Sequence, residues 1–439
     1  MSTLHHVRPL SFLEKYYTTR HFLGMDACVV TSARYTTTEN TPLTKELLFP
    51  ALRILIEAHA ALGVRIEGKE DTADLAFVRL PTVDVSRLVE FSTSSNVQEA
   101  LEKHLSHGLE NTQGDLPLWR LEVLADNTVV FAAHHSIGDG LSHTAFHNSL
   151  LRALQETPSS TSSSSVVIPE LTLLPPIEDV ADIRPTVWHF LAALYELLAP
   201  KSWQKSFSAW TGKPVPTVIA VDTRVRLLQF KPSEATRFAE ACRAHGATVT
   251  STLYVLSVSV LARLLTSDPR IYKTVSVLIP LSLRPVFGIA SDVFGNYISS
   301  HNTYPALDSA FSWATAARFA AELQEQRSTN YRAMGMLRLV EKQYARFFMG
   351  TLGKKRRFGF ALSNLGRFEA PSVEGSWSIG EMFFSPCDSL TGAALGISAV
   401  GDPTGGLNIT FKWGAESLDT EFVEEFTSLF RDAFLGLSA

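Results

Sequence analysis

One stretch, His134-His135-Ser136-Ile137-Gly138-Asp139-Gly140, constrains this chain more than any other. It follows the apolar run Val129-Val130-Phe131-Ala132-Ala133 and precedes a helical pattern over residues 142–154. An unbroken apolar run of that length and composition predicts a strand buried on both faces. A loop leaving such a strand for a helix is rigidly held, and functional side chains concentrate on loops of that kind. Adjacent side chains at a strand end face opposite sides, so His134 and His135 do not address one substrate together. One of them is expected to do chemistry while the other supports the loop.

The residue types narrow that chemistry. A neutral imidazole, with an ordinary pKa of ~6.5, can take a proton from an attacking hydroxyl or amine at neutral pH. If the bond under attack is a thioester, the departing thiol has a pKa of ~8.5 and no covalent intermediate is needed. The chain has no GxSxG nucleophile arrangement, which fits direct attack. Asp139 either orients the imidazole or forms a buried salt bridge that fixes the loop. The tight turn set by Gly140 favours the second role. His143 and His147 share one helix face near His135 and Asp139, which raises a metal reading. No acidic residue stands where an HExxH site would put its base, so they read as ordinary histidines on a helix surface and no metal is expected.

At 439 residues the chain exceeds one ordinary core, which predicts two lobes, residues 1–200 and 201–439. Helices are expected over 10–23 (capped by Ser11), 41–61 (capped by Thr41, with a break at Pro50), 97–107, 186–198, 233–245, 252–265, 310–327 and 420–434. Strands are expected over 27–35, 76–80, 118–124, 128–133, 223–230, 274–279, 358–363 and 407–413. Their irregular alternation implies an α/β class with mixed sheets in both lobes. The Ser- and Thr-rich segment 156–169 reads as an exposed loop. Two apolar runs, 187–198 and 253–265, are too short to cross a bilayer and read as packed helices. Three widely spaced cysteines, Cys28, Cys242 and Cys387, argue for a reducing compartment without disulfides. Residues 1–8 carry no secretory pattern, so a cytoplasmic protein is expected. A net charge of −5 gives no reason to expect a nucleic-acid or anionic-membrane partner.

Several further segments stand in order along the chain: residues 8–24 (RPLSFLEKYYTTRHFLG), 116–120 (LPLWR), 242–253 (CRAHGATVTSTL), 279–285 (IPLSLRP), 292–299 (DVFGNYIS) and 363–368 (SNLGRF). Together with HHxxxDG they make the chain resemble the CoA-dependent acyltransferase superfamily. That group takes in chloramphenicol acetyltransferase, plant BAHD acyltransferases and peptide-synthetase condensation domains; within it the chain looks most like fungal alcohol acetyltransferases. The resemblance implies two chloramphenicol-acetyltransferase-like lobes with an active-site tunnel between them and His135 as general base. It implies Asp139 paired with Arg284, His134 and Gly140 supporting the loop, and Asn296 shaping the floor between the lobes. Ser363 and Asn364 would lie near the thioester and steady its oxyanion. Where the plant branch carries DFGWG, this chain has Asp292-Val293-Phe294-Gly295-Asn296, so plant-type acceptors are not implied.

The basic run Lys354-Lys355-Arg356-Arg357 reads as a solvated loop, with docking of CoA phosphates or an acidic carrier protein as the functional alternative. The expected reaction moves an acyl group, most simply acetyl, from acetyl-CoA or another acyl-CoA to the hydroxyl of a small hydrophobic alcohol or a secondary metabolite. CoA serves as cosubstrate, no cofactor is held tightly, and a monomer is expected. Two alternatives stand beside it: transfer from an acyl carrier protein or to an amine, and a catalytically silent binding protein of the same fold.

Overall fold

A computed structural model describes residues 6–69, 74–109, 111–156, 163–265, 272–371 and 375–437. The first helix, Phe12–Phe22, begins at a full capping box: the Glu14 amide donates to Ser11 Oγ at 3.1 Å, and the Ser11 amide donates to Glu14 Oε2 at 2.7 Å. Its inner side packs Phe12, Leu13 and Tyr17 into the molecule, so this helix presents no free apolar face.

Strand Thr128–Ala133 is buried at every position and lies at the centre of a five-stranded sheet. Trp119–Val123 pairs with it as an antiparallel hairpin, and Asn127 makes the turn with φ of 63°. On its other side it pairs with Val29–Thr37. Helix Gly140–Glu156 then packs back across this sheet, stacking Phe146 on Phe131 at 3.8 Å between ring centroids.

The Asn127 side chain also limits the next helix. It accepts from the Leu43 amide at 2.8 Å and donates to the Thr41 carbonyl at 2.9 Å. Residues 41–43 are thereby held out of helical geometry, and the helix runs Lys45–Ala58 instead of starting at a Thr41 cap. Pro50 sits in its early turns without breaking it.

The second sheet has six strands in the order Thr223–Phe230, Leu407–Gly414, Leu395–Gly401, Phe360–Arg367, Val277–Ser282 and Ile298–Thr303. Phe360–Arg367 is parallel to both of its neighbours, and the other pairings are antiparallel. Helices Val249–Leu265 and Thr420–Leu437 cover this sheet with a core of Leu, Ile and Phe.

Strand Trp377–Pro386 departs from a division at residue 200. It pairs along the whole of Val29–Thr37 and completes the first sheet with a strand from the second half of the chain. Part of the Ser-rich segment also departs from a plain loop. Ser165–Val167 pairs with Thr82–Asp84 and buries Val166, while residues 157–162 lie outside the described ones. Helix Val187–Leu198 forms as expected, but Val187, Trp188, Leu191, Leu194 and Leu198 are exposed and not packed. Helix Val249–Leu265, the other apolar run, is packed. No described helix is long and apolar enough to cross a membrane.

Candidate active site

The sheet ends at Ala133, and the two histidines diverge there as pleating requires. His134 is buried; its Nδ1 accepts from the Ser136 amide at 3.0 Å and lies 2.7 Å from Ser136 Oγ. It packs edge-on against His21, with 4.6 Å between ring centroids. Burial, with His21 and His135 adding to it, pushes its pKa far below the ordinary value. His134 is therefore a neutral strut inside the loop.

His135 is only part-buried. Its Nδ1 lies 3.1 Å from the Gly138 carbonyl. A carbonyl only accepts, so Nδ1 carries the proton and Nε2 carries the lone pair. Among the described residues Nε2 has no hydrogen-bond partner in the protein. The ring stacks on Tyr17 at 3.7 Å and 8°. Burial lowers its pKa, and the negative charge of Asp26 partly offsets that. Asp26 is itself paired with Arg20 and hydrogen-bonded by the Cys387 thiol. Tyr17, Arg20 and Asp26 were not singled out by the sequence, and Cys387 was read only for its spacing from the other cysteines. Tyr17 lies within the 8–24 segment, but nothing local marks it as a ring that meets a histidine.

Asp139 faces away from this ring. It forms an ion pair with Arg284 at 2.9 Å, with both side chains at most 2% exposed. Its carboxylate also accepts from the Ser142 amide at 3.1 Å and the Tyr297 amide at 3.2 Å. Arg284 spends its other donors on the carbonyls of Ala290, Val293 and Gly295 and on Ser142 Oγ. Asn296 completes the bracket: its Nδ2 donates at 2.9 Å to the carbonyls of both His135 and Ser136. Segment 284–297 of the second half thus clamps the histidine loop of the first.

Gly140 is required by close approach. A Cβ there would lie 2.4 Å from Leu365 Cδ2 and 3.2 Å from Phe384 Cζ. This contact carries strand Phe360–Arg367 past the loop. Side chains alternate along a strand, so Ser363 shares the face of Leu365. Asn364 shares the face of Leu362, which belongs to the second core. Its amide is committed there, donating to Thr250 Oγ1 at 3.0 Å and accepting from the Gly366 amide. Asn364 is thus held by its own strand and by Thr250.

Two other expectations change. His143 and His147 are fully buried, not on a helix surface: Thr31 Oγ1 lies 3.4 Å from His143 Nδ1 and 3.1 Å from His147 Nε2, and Tyr35 is 3.1 Å from His147 Nδ1. Burial pushes His147 down to about 3. In the basic run, Arg356 is buried and donates to the carbonyls of Lys213, Leu390 and Gly392, so it is not available to phosphates. Lys355 donates to the carbonyls of Ser206 and Phe207, while Lys354 and Arg357 remain exposed.

Fold and loop together define an acyltransferase of the class built on chloramphenicol-acetyltransferase-like lobes. The solved trichothecene 15-O-acetyltransferase of Fusarium sporotrichioides superposes with a TM-score of 0.73 at 14% identity, over 98% of this chain and 94% of that one. The condensation domain of the monacolin K polyketide synthase superposes with a TM-score of 0.66 at 14% identity, over 100% and 98%. The family model for alcohol acetyltransferases matches residues 88–434, and the chain belongs to that family. A probable alcohol acetyltransferase of Aspergillus fumigatus is 27% identical over 91% of this chain and 93% of its own length. Another, of Fusarium pseudograminearum, is 25% identical over 83% and 80%.

Proposed function

We propose that this acyltransferase moves an acetyl group from acetyl-CoA to the hydroxyl of a small hydrophobic alcohol, with His135 as general base. The observation that carries the reading is the fixed tautomer of His135. Its Nδ1 proton is committed to the Gly138 carbonyl, so a lone pair on Nε2 is left at a part-buried position. The depressed pKa keeps that lone pair available at neutral pH.

In the step itself, Nε2 takes the hydroxyl proton as the alcohol oxygen bonds to the thioester carbonyl carbon. The C–S bond then breaks, and the imidazolium returns its proton to the leaving thiolate. Ser363 is the hydroxyl we assign to donate to the oxyanion. Asn364 is spent elsewhere and serves the strand bulge at Gly366. Asp139 and Arg284 position the loop and do not touch substrate. The donor and acceptor reach His135 along a tunnel between the two sheets, the first of which takes strand Trp377–Pro386 from the second half of the chain. We take the enzyme to act as a monomer. The three cysteines are buried and unpaired, which supports a cytoplasmic enzyme.

The test is free-thiol release from acetyl-CoA against a panel of hydrophobic alcohols and amines, wild type beside His135→Ala. Alcohol-dependent release that is lost in the variant is expected. Release with amines alone would replace the acceptor class. No release from any acyl-CoA, with transfer from a loaded carrier protein, would replace the donor.

A further inference from the structure

Helix Val187–Leu198 is the one long apolar element left uncovered among the described residues. Val187, Leu191, Leu194 and Leu198 fall on one face, flanked by Trp188 and Phe190, and all of them are exposed. Trp188 is 74% exposed and Leu198 70%. The opposite side carries His189 and Glu196. An apolar stripe of this width normally faces a core; here it faces outwards. The chain that follows adds Trp203 and Phe207, both largely exposed, beside Lys201 and Lys205. This segment is a folded unit: Tyr195 donates to the Trp203 carbonyl, and Gln204 to those of Glu196 and Ala199.

The basic run 354–357 meets it. Lys355 donates at 2.8 Å to the carbonyls of Ser206 and Phe207, which sets the exposed Lys354 and Arg357 beside the same patch. Between Pro185 and Val215 the only acidic residue is Glu196. A protein of net charge −5 has thus gathered Lys201, Lys205, Lys354 and Arg357 along the segment that follows this exposed apolar helix face.

We propose that this face docks the enzyme on an anionic membrane surface, with the helix lying in the interface. Twelve residues span about 18 Å as a helix, short of the ~30 Å needed to cross. Apolar stripe, aromatic residues and lysine rim together are the composition of an interfacial helix. The charge decides for lipid against a second copy, since another molecule would bring a second basic rim to the same contact. The anchor leaves the fold close to the site. Ile183, four residues before Val187, packs in the cluster that holds Phe12 and Tyr17, and Tyr17 stacks on His135.

The experiment is flotation of the full chain with vesicles of phosphatidylcholine, with and without phosphatidylserine. Binding is expected, tighter with phosphatidylserine and weakened when salt rises from about 0.1 to 0.5 M. Leu191→Glu with Leu194→Glu should cut binding to both vesicles at least ~10-fold. Lys201→Glu with Lys205→Glu should remove the phosphatidylserine preference, at about fivefold per lysine. These side chains are exposed, so thermal melting should be unchanged and a folding defect is separable. Wild type that ignores both vesicles, or substitutions that leave binding intact, would overturn the proposal. A concentration-dependent dimer by light scattering, without vesicle binding and abolished by Leu191→Glu, would assign the face to a second copy instead.

Discussion

The two ends of the histidine loop are built in opposite ways. At Asp139 each carboxylate oxygen is engaged, and Arg284 opposite it has filled its donors with carbonyls and a hydroxyl. At His135 a single backbone bond and a ring stack hold the imidazole, and Nε2 is left open. A buried charge with every hydrogen bond satisfied has no capacity left for substrate. A part-buried base with one empty lone pair has nothing else to do. Saturation separates the group that builds the loop from the group that works in it.

The sharpest way to break this contrast is to unsaturate the saturated end. Asp139→Asn puts an amide where a carboxylate met Arg284 and leaves that guanidinium buried without its counter-charge. A loss of about 3–5 kcal/mol of stability is expected by chemical denaturation. Full stability with lost turnover would instead make Asp139 a direct partner of the chemistry. At the open end, His135→Ala should leave the denaturation midpoint nearly unmoved and lower turnover by ~10²–10⁴-fold. If the protein unfolds instead, His135 belongs with the struts.

Gly140→Ala probes the point where the loop meets strand Phe360–Arg367. The added methyl collides with Leu365 while Phe384 closes the other side. The expected cost is about 1 kcal/mol, the low end for overpacking, because the Leu365 side chain can turn. A much larger loss on the same denaturation curve would mean that the strand, and Ser363 with it, cannot give way.

Acid supplies the finest comparison. His147 titrates near 3 in the fold and near ~6.5 when unfolded, so below pH 6.5 the unfolded chain takes up a proton that the folded chain refuses. Its contribution to stability is whole above that pH and declines as pH falls. Between pH 7.5 and 5.5 the loss is about 1.4 kcal/mol for this residue, and His147→Gln should remove that part of the slope. His135 is also depressed, so the acid limb of kcat/KM should lie below 6.5. A limb above 6.5 would assign the limiting base to another group.

Much of this was legible in the sequence where local pattern and final burial coincide. Strand Thr128–Ala133, helix Val97–His107 and strand Thr223–Phe230 match their apolar patterns. Strands Ile298–Thr303, Trp377–Pro386 and Leu395–Gly401 were not read. Ile298–Thr303 is mostly polar, and its place is set by its pairing with Val277–Ser282 rather than by its own residues. Apolar content gave helix Val187–Leu198 its type but could not say whether anything covers it. At the site, the two histidines stood out as a motif, and the Asp139–Arg284 pair came from resemblance. Tyr17 and Asp26 did not stand out, because a ring stack and a through-space charge leave no spacing signature.

The strand that closes the first sheet also sets a timetable. Thr36 and Ser378 face each other across that edge with 342 positions between them in the chain. A ribosome adding ~5–20 residues per second needs roughly 20–70 s to supply the missing partner. During that wait Val29–Thr37 offers an unpaired edge, and a nascent chain of this kind needs shielding from its neighbours until strand Trp377–Pro386 arrives near its end.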